Sequence, residues 1–279
     1  MHKFWSILFG AVLGVAGVIS LLSPLFGWKL PENQASYGPK VDNLFHLILA
    51  ITAIAFVGTE VVLVWAMWRF VGRPGAKSPY VHGNHKLEMI WTAVPAGILL
   101  FIAFAQVGAW ADIKYQSRMP DPAQVFEVSA RQFEWRFRYP AADQLEAMVG
   151  NWKDSGSRTA AAWERSHQFD DVHVVNEVHT WKGANVRMFL KTRDVLHSFF
   201  LPNARVKQDV VPGMEQYVWF HPTVEGTYDI VCAELCGWGH YKMRGRLTVE
   251  SQEKFDKWYQ DKMAEQNQAS FTPVEEGSE

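Results

Sequence analysis

Cysteine is scarce in this chain, with two among 279 residues. Net charge is scarce too: 27 basic against 29 acidic side chains leave a formal −2, so charge alone selects no polyanionic or polycationic partner. No internal repeat, glycine-rich phosphate loop or basic nucleic-acid patch is present, which argues against nucleotide and nucleic-acid binding. No Cys-x-x-Cys-His occurs, so no haem is attached covalently through that motif. Charge is also missing from long stretches of the first third, and that absence says most about where the chain resides.

Phe4 to Phe26 carries no charged residue and is long enough to cross a bilayer of roughly 30 Å as a helix. It resembles a signal peptide, with Ala16 or Ser20 before a cleavage point, but is read here as an additional spanning helix. Leu44 to Trp68, which contains His46 and Glu60, and Ile90 to Trp110 are long enough to span as well. Glu60, an ionisable residue inside a span, is a functional candidate to which no role is assigned. Between the second and third runs lie Arg69, Arg73, Lys77 and Lys86 with no acid before Glu88, which marks this loop as cytoplasmic. The loop from Gly27 to Asn43 mixes both signs and is the outer one, so everything after Ala111 lies outside. That external part holds 25 acidic and 20 basic residues, a balance that favours a basic soluble partner by weak steering. The organisation expected is a hydrophobic helix and outer loop over 1–43, a two-helix hairpin over 44–112, an external domain over 113–250, and a helix with a polar tail over 251–279.

Both cysteines fall in Cys232-Ala-Glu-Leu-Cys236-Gly-Trp-Gly-His240-Tyr-Lys-Met243. Two thiols, an imidazole and a thioether within twelve positions are soft ligands, suited to copper, zinc or iron–sulfur. A disulfide between Cys232 and Cys236 is the bland alternative, but a short i,i+4 loop strains it and it leaves His240 and Met243 without a reason. Zinc has little use for a thioether, whereas copper often takes Met as a weak ligand, so copper leads. Two cysteines can also bridge two coppers, each completed by one histidine, and the best source of a second imidazole is His197 in Asp194-Val-Leu-His-Ser-Phe.

The rest of the external part reads as β-structure. Gln124 to Tyr139 predicts a strand pair or one long strand, with Phe133, Trp135, Phe137 and Tyr139 on one face and Glu134, Arg136 and Arg138 on the other. Residues 141 to 171 lack this alternation and read as an excursion of unreadable function. Strands are expected again over 172–178, 185–191, 198–201, 214–221, 227–231 and 247–250, punctuated by Pro202, Pro212-Gly213, Pro222 and Gly226. Short strands at that spacing suggest a small antiparallel sandwich or barrel. Ser251 can cap a helix whose apolar face is Phe255, Trp258 and Tyr259.

With His197, Cys232, Cys236, His240 and Met243 on a β-rich domain behind membrane helices, the chain resembles subunit II of the haem-copper cytochrome c oxidases over roughly residues 41 to 262. The strongest pieces are Asp194-Val-Leu-His-Ser-Phe, Val206-Lys-Gln-Asp-Val-Val-Pro-Gly213 and the Cys232 to Met243 loop. The resemblance implies a cupredoxin-like sandwich holding a binuclear copper centre, CuA, on the outer side of a bacterial inner membrane. It implies that Cys232 and Cys236 bridge the coppers, that His197 and His240 bind one each, and that Met243 and the Glu234 carbonyl are weak outer ligands. The Glu234 carboxylate would hold Mg²⁺ shared with subunit I. Glu88, in Glu-Met-Ile-Trp-Thr-Ala-Val-Pro, would mark the mouth of a proton path into subunit I, with a helix-start acid as the plain alternative.

One departure matters: the family pattern His-Gln-Trp-Tyr-Trp stands here as Arg131-Gln132-Phe133-Glu134-Trp135, and its first Trp is where electrons usually arrive from cytochrome c. Phe133 takes that place. Trp135, Trp238 or direct transfer to the copper loop must then serve, and the expected donor shifts from soluble cytochrome c to a bound haem-carrying subunit. The implied function is acceptance of electrons and their transfer to a haem-bearing catalytic subunit that reduces O₂ to water and pumps protons. The alternatives are the CuA subunit of a nitric oxide reductase and a membrane-tethered copper carrier.

Overall fold

The computed structural model describes residues 2–72, 75, 77, 80–140 and 171–271. The excursion expected from 141 on therefore lies outside the described residues, apart from Asp171. The chain divides into two compact units, one of residues 1–30 and 40–109 and the other of residues 31–39 and 110–279.

The first unit is helical: α1 (His2–Leu22), α2 (Gly38–Arg69) and α3 (His85–Lys114). All three are long and apolar enough to cross a membrane, and most of their large apolar side chains are exposed in the isolated chain. In hydrocarbon the backbone must satisfy its own hydrogen bonds, and an unbroken helix does so. The helices run past the apolar runs that announced them, because the ladder continues into polar flanks such as His85 to Glu88 and Ile113-Lys114. A 3-10 turn over Ser23–Phe26 follows α1 and closes on Gly27, whose φ of 80° needs a residue without a Cβ. Ser6 on α1 donates its hydroxyl to the Val64 carbonyl of α2 at 3.1 Å, and the Lys3 ammonium sits 4.2 Å from the Trp68 ring centre. The first helix is thus packed on the second by a polar contact as well as by bulk.

Among the described residues, the second unit is a sandwich of two five-stranded sheets followed by a helix, α4 (Gln252–Phe271). The strands are β1 (Gln124–Arg131), β2 (Glu134–Tyr139), β3 (Val172–Val175), β4 (Glu177–Trp181), β5 (Val186–Thr192), β6 (His197–Leu201), β7 (Val206–Val210), β8 (Gln216–Phe220), β9 (Gly226–Cys232) and β10 (Arg244–Glu250). One sheet runs β3-β2-β1-β5-β8 and the other β4-β10-β9-β6-β7. Between them lie Phe126, Val128, Trp135, Phe137, Leu190, Phe199, Ile230 and Leu247, all at most 1 % exposed. Trp135 meets Phe199 edge-on across the core with ring centres 5.2 Å apart, a geometry that adds about 0.5–1.5 kcal/mol to the burial itself.

Several expectations are corrected here. The sheets are mixed rather than antiparallel: β1 pairs with β5, and β4 with β10, in parallel. The strand expected over 172–178 is two strands in different sheets, broken at Asn176, which adopts a left-handed φ of 57°. Its side-chain oxygen accepts from the Trp135 N–H at 2.8 Å and its carbonyl accepts from the Arg246 N–H at 2.8 Å, so this residue pins the two sheets together. Phe133 lies in the β1–β2 turn rather than on the strand face. Arg138, assigned by alternation to the polar face with Glu134 and Arg136, is 3 % exposed, held by Asp171 at 2.8 Å and Glu127 at 3.0 Å. β7, not expected as a strand, forms the edge of the second sheet beside β6. Residues 31–39, which follow α1, pack on the sandwich, with the Gln34 N–H on the Asn203 carbonyl and the Ser36 N–H on the His221 carbonyl.

The closing helix follows expectation. The Ser251 hydroxyl accepts from the Lys254 N–H at 3.4 Å, and Phe255, 6 % exposed, packs its ring toward Trp181 and Tyr139.

Candidate metal centre

The soft-ligand loop begins at the last residue of β9 and ends just before β10, so both of its ends belong to one hairpin. The Cys232 N–H donates to the Met243 carbonyl at 3.2 Å, which closes the loop at its neck. The Ala233 N–H donates to the Ser198 carbonyl at 3.0 Å, tying the loop to β6. At the far side the Gln132 amide donates to the Cys236 carbonyl at 2.6 Å. Gly237 has φ 133°, and a Cβ at Gly239 would enter the Phe133 ring, so glycine is required at both positions for the loop to lie this close to the β1–β2 turn.

Within this frame Cys232, Cys236 and His197 present ligand atoms that all lie within 4.8 Å of one another, and all three residues are buried. The two sulfurs are 3.8 Å apart and both thiols are free, so the disulfide alternative is not realised. His197 Nδ1 lies 4.0 Å from Cys232 Sγ, His240 Nδ1 lies 3.7 Å from Cys236 Sγ, and Met243 Sδ lies 3.8 Å from Cys236 Sγ. The Glu234 carbonyl oxygen is 3.2 Å from Cys232 Sγ. Metal–ligand bonds of about 2.0–2.3 Å at roughly tetrahedral angles leave two donors of one metal roughly 3.3–3.8 Å apart. The two sulfurs and the His240–Cys236 pair lie close to this range, and a small inward shift of His197 would bring its 4.0 Å separation into it, so the donor set suits soft metal ions. The two imidazoles approach different sulfurs, and this arrangement suits a pair of ions flanked by one histidine each.

The charges around the site favour metal binding as well. Burial pushes the Cys232 thiol up, but hydrogen bonds from His197 and from the Ser198 and Glu234 backbone reverse this and bring it down to about 6. Burial and the neighbouring Cys232 thiolate push Cys236 up to about 12. One thiolate is thus ready at neutral pH, and the second needs a cation to release its proton. Asp194 completes the arrangement: its Oδ1 lies 2.8 Å from His197 Nε2, which leaves Nδ1 facing the sulfurs. Burial acts upward on this carboxyl, but hydrogen bonds from His197, the Gln132 and Val195 N–H groups and the Thr192 hydroxyl hold it at about 2. The Asp194 and Gln132 roles were not read from the sequence, although both stand inside quoted motifs. The available signal was the i,i+3 spacing of Asp194 and His197.

The other singled-out residues lie apart from the ligands. Trp135 is fully buried, with its ring centre 6.2 Å from that of His197, so it cannot receive a partner at the surface. Trp238 is 76 % exposed and meets Phe133 edge-on at 5.1 Å, so this pair lies at the surface. The Glu234 side chain is half-buried. Glu88 stands in the first turn of α3, 3.3 Å from the His85 ring.

The fold and the loop define a membrane-anchored, cupredoxin-like β-sandwich protein with a thiol, imidazole and thioether cluster at one end of the sandwich. Two family profiles match: "Cytochrome C oxidase subunit II, periplasmic domain" over residues 124–251 and "Cytochrome C oxidase subunit II, transmembrane domain" over residues 26–107. The alternative cytochrome c oxidase subunit 2 of Bradyrhizobium diazoefficiens is 30 % identical over 252 residues, which is 88 % of this chain and 89 % of that one. The cytochrome c oxidase subunit 2 of Thermostichus vulcanus is 29 % identical over 91 % of this chain and 84 % of its own. The crystal structure of the periplasmic domain of subunit II from Bradyrhizobium japonicum aligns with 53 % of this chain and 98 % of that domain, at 20 % identity and a TM-score of 0.41. The chain belongs to the cytochrome c oxidase subunit II family, and it is a membrane-anchored subunit of a respiratory oxidase.

Proposed function

We propose that this chain is the electron-accepting subunit of a respiratory terminal oxidase. It takes electrons at a binuclear CuA centre and passes them to a haem-bearing subunit I that reduces O₂ to water and pumps protons. The observation that carries the reading is the cluster itself: two free thiols 3.8 Å apart, with a separate imidazole against each. Cys232 and Cys236 would bridge the two coppers, His197 and His240 would bind one each, and Met243 with the Glu234 carbonyl would be the weak outer ligands. When bound, such a pair stores and releases a single electron shared over both metals.

The chain's own residues hold the site still. Asp194 fixes the His197 ring, the loop neck fixes Cys232 and Met243, and Gln132 fixes the Cys236 carbonyl. A rigid, buried donor set changes little between two charge states, and that favours fast one-electron transfer. The exposed Trp238 with Phe133 is the place where electrons arrive, while buried Trp135 packs behind His197. The Glu234 carboxylate would bind Mg²⁺ together with subunit I. Glu88 would stand at the mouth of a proton path into subunit I, on the cytoplasmic side of a bacterial inner membrane, with the copper domain outside. No residue of this chain is assigned to oxygen chemistry.

Metal analysis with electron paramagnetic resonance on the purified oxidase tests the reading. The expected result is two coppers assigned to this subunit and a multiline hyperfine pattern from one unpaired electron shared by two equivalent nuclei. A single copper with an ordinary isolated pattern, exchangeable with a chelator, would instead favour a membrane-tethered copper carrier. Measuring which gas the intact complex consumes separates an O₂-reducing oxidase from a nitric oxide reductase.

A further inference from the structure

β3 stands at the end of its sheet, so one side of its backbone faces no strand. Ladder bonds in an antiparallel pair serve every second residue. The Asn176 N–H donates to the Trp135 carbonyl at 2.7 Å, and this sets the alternation along the β2–β3 register. Val172 and Val174 turn their N–H and C=O groups toward β2, and His173 and Val175 turn theirs away. An edge of this kind is a template for a further strand unless something covers it.

One position on the edge is already filled from α4. The Gln266 side-chain amide donates to the Asp171 carbonyl at 2.6 Å, and its oxygen accepts from the His173 N–H at 3.1 Å. A neighbouring strand would offer the same two groups, an N–H and a C=O, to the same pair. Gln266 is therefore a peptide-amide surrogate seated on the edge. The next position along, formed by the His173 carbonyl and the Val175 N–H, lies beside a cleft of about 450 Å³ between β3 and α4. Val175 is 48 % exposed there, an apolar side chain on the strand's solvent face. Glu177 and Glu265 meet a single ammonium, that of Lys262, at 4.0 and 3.2 Å. Among the described lining residues the only other ionisable side chain is the His173 imidazole, so two carboxylates face one lysine. Side chains of an extended segment alternate in direction. A segment laid along Val175 thus suits a β-branched residue on the valine and a basic neighbour beside the two acids.

We propose that the β3 edge beside α4 is a strand-addition site for an extended segment of a partner protein in which basic and β-branched residues alternate. Gln266 holds the first position, and the incoming segment takes the second, at the His173 carbonyl and the Val175 N–H. No candidate metal ligand takes part, so the inference stands apart from the copper reading.

The test uses the purified oxidase and a short labelled peptide of alternating lysine and valine, with a glutamate–valine peptide as its counterpart. Saturating lysine peptide is expected to slow amide exchange at Val175 at least about tenfold. Val175→Pro removes a donor that faces away from β2, a place where an edge strand tolerates proline, and is expected to weaken peptide binding at least about tenfold in fluorescence anisotropy. Glu177→Lys with Glu265→Lys is expected to reverse the preference in favour of the glutamate peptide. That pair alters no ladder bond, so it decides the matter even where Val175→Pro fails to fold. Peptide binding that ignores the charge reversal, or binding with no slowing at Val175, overturns the proposal. Absence of binding overturns it too, as does an amide at Val175 that exchanges slowly before peptide is added, which would show an edge already covered within the oxidase.

Discussion

His197 shows how a few neighbours turn an ordinary side chain into a candidate ligand. It is fully buried, with one ring nitrogen on the Asp194 carboxylate and the other facing the sulfurs. Losing such an orienting carboxylate typically costs about 10–100-fold in metal affinity, so Asp194→Ala is expected to weaken copper binding by that much in a chelator competition. Unchanged affinity would mean that packing alone holds the ring. The same carboxyl sets an acid limit. Its folded value of about 2 is below the ordinary value of roughly 3.9, so its contribution to stability is complete above about pH 4 and is lost as pH falls toward 2. Denaturant unfolding of the metal-free protein between pH 5 and 2 should show this loss, and Asp194→Asn should flatten it. Cys236→Ser should break the copper pair, visible as lost stoichiometry and a lost visible band, and a variant that keeps both would refute bridging. Met243→Leu should keep both coppers and shift the potential, because it removes only a weak ligand. At this scale the ligand types and their spacing were legible in the sequence, since soft donors are rare and concentrated in one loop. The orienting role of Asp194 was not, because a carboxylate near a turn has many common uses.

Among the elements, the strands were legible where alternation and turn residues coincide, as in β1, β2, β8 and β10. Reading failed where tertiary contacts override the pattern. Asn176 breaks one apolar run into β3 and β4 because its left-handed turn lets the chain cross from one sheet to the other. Arg138 sits on a face that alternation marks as polar, yet it is buried between Asp171 and Glu127. The two readings predict different outcomes. An exposed arginine would tolerate Arg138→Ala within about 0.5 kcal/mol, whereas removal of a buried ion partner costs about 3–5 kcal/mol. Thermal or denaturant unfolding of the variant is expected to show the larger loss.

Across the whole molecule, three helices long and apolar enough to span a membrane stand in one unit and the sandwich forms the other. The basic loop between α2 and α3 predicts that a reporter enzyme active only outside the cytoplasm will be inactive when inserted near Gly75 and active when fused after Glu279. The opposite pattern would invert the orientation and place the metal loop on the wrong side for an outside donor. Membrane attachment and the β class were set by composition and periodicity, which are properties of neighbouring residues. So was the gathering of soft donor side chains in one loop. Only the tertiary structure brings His197, 35 residues from Cys232, against its sulfur, parts the two thiols by 3.8 Å, buries Trp135 and exposes Trp238. The reason is that distances across the sandwich depend on which strands pair and in which register, and no local pattern encodes that choice.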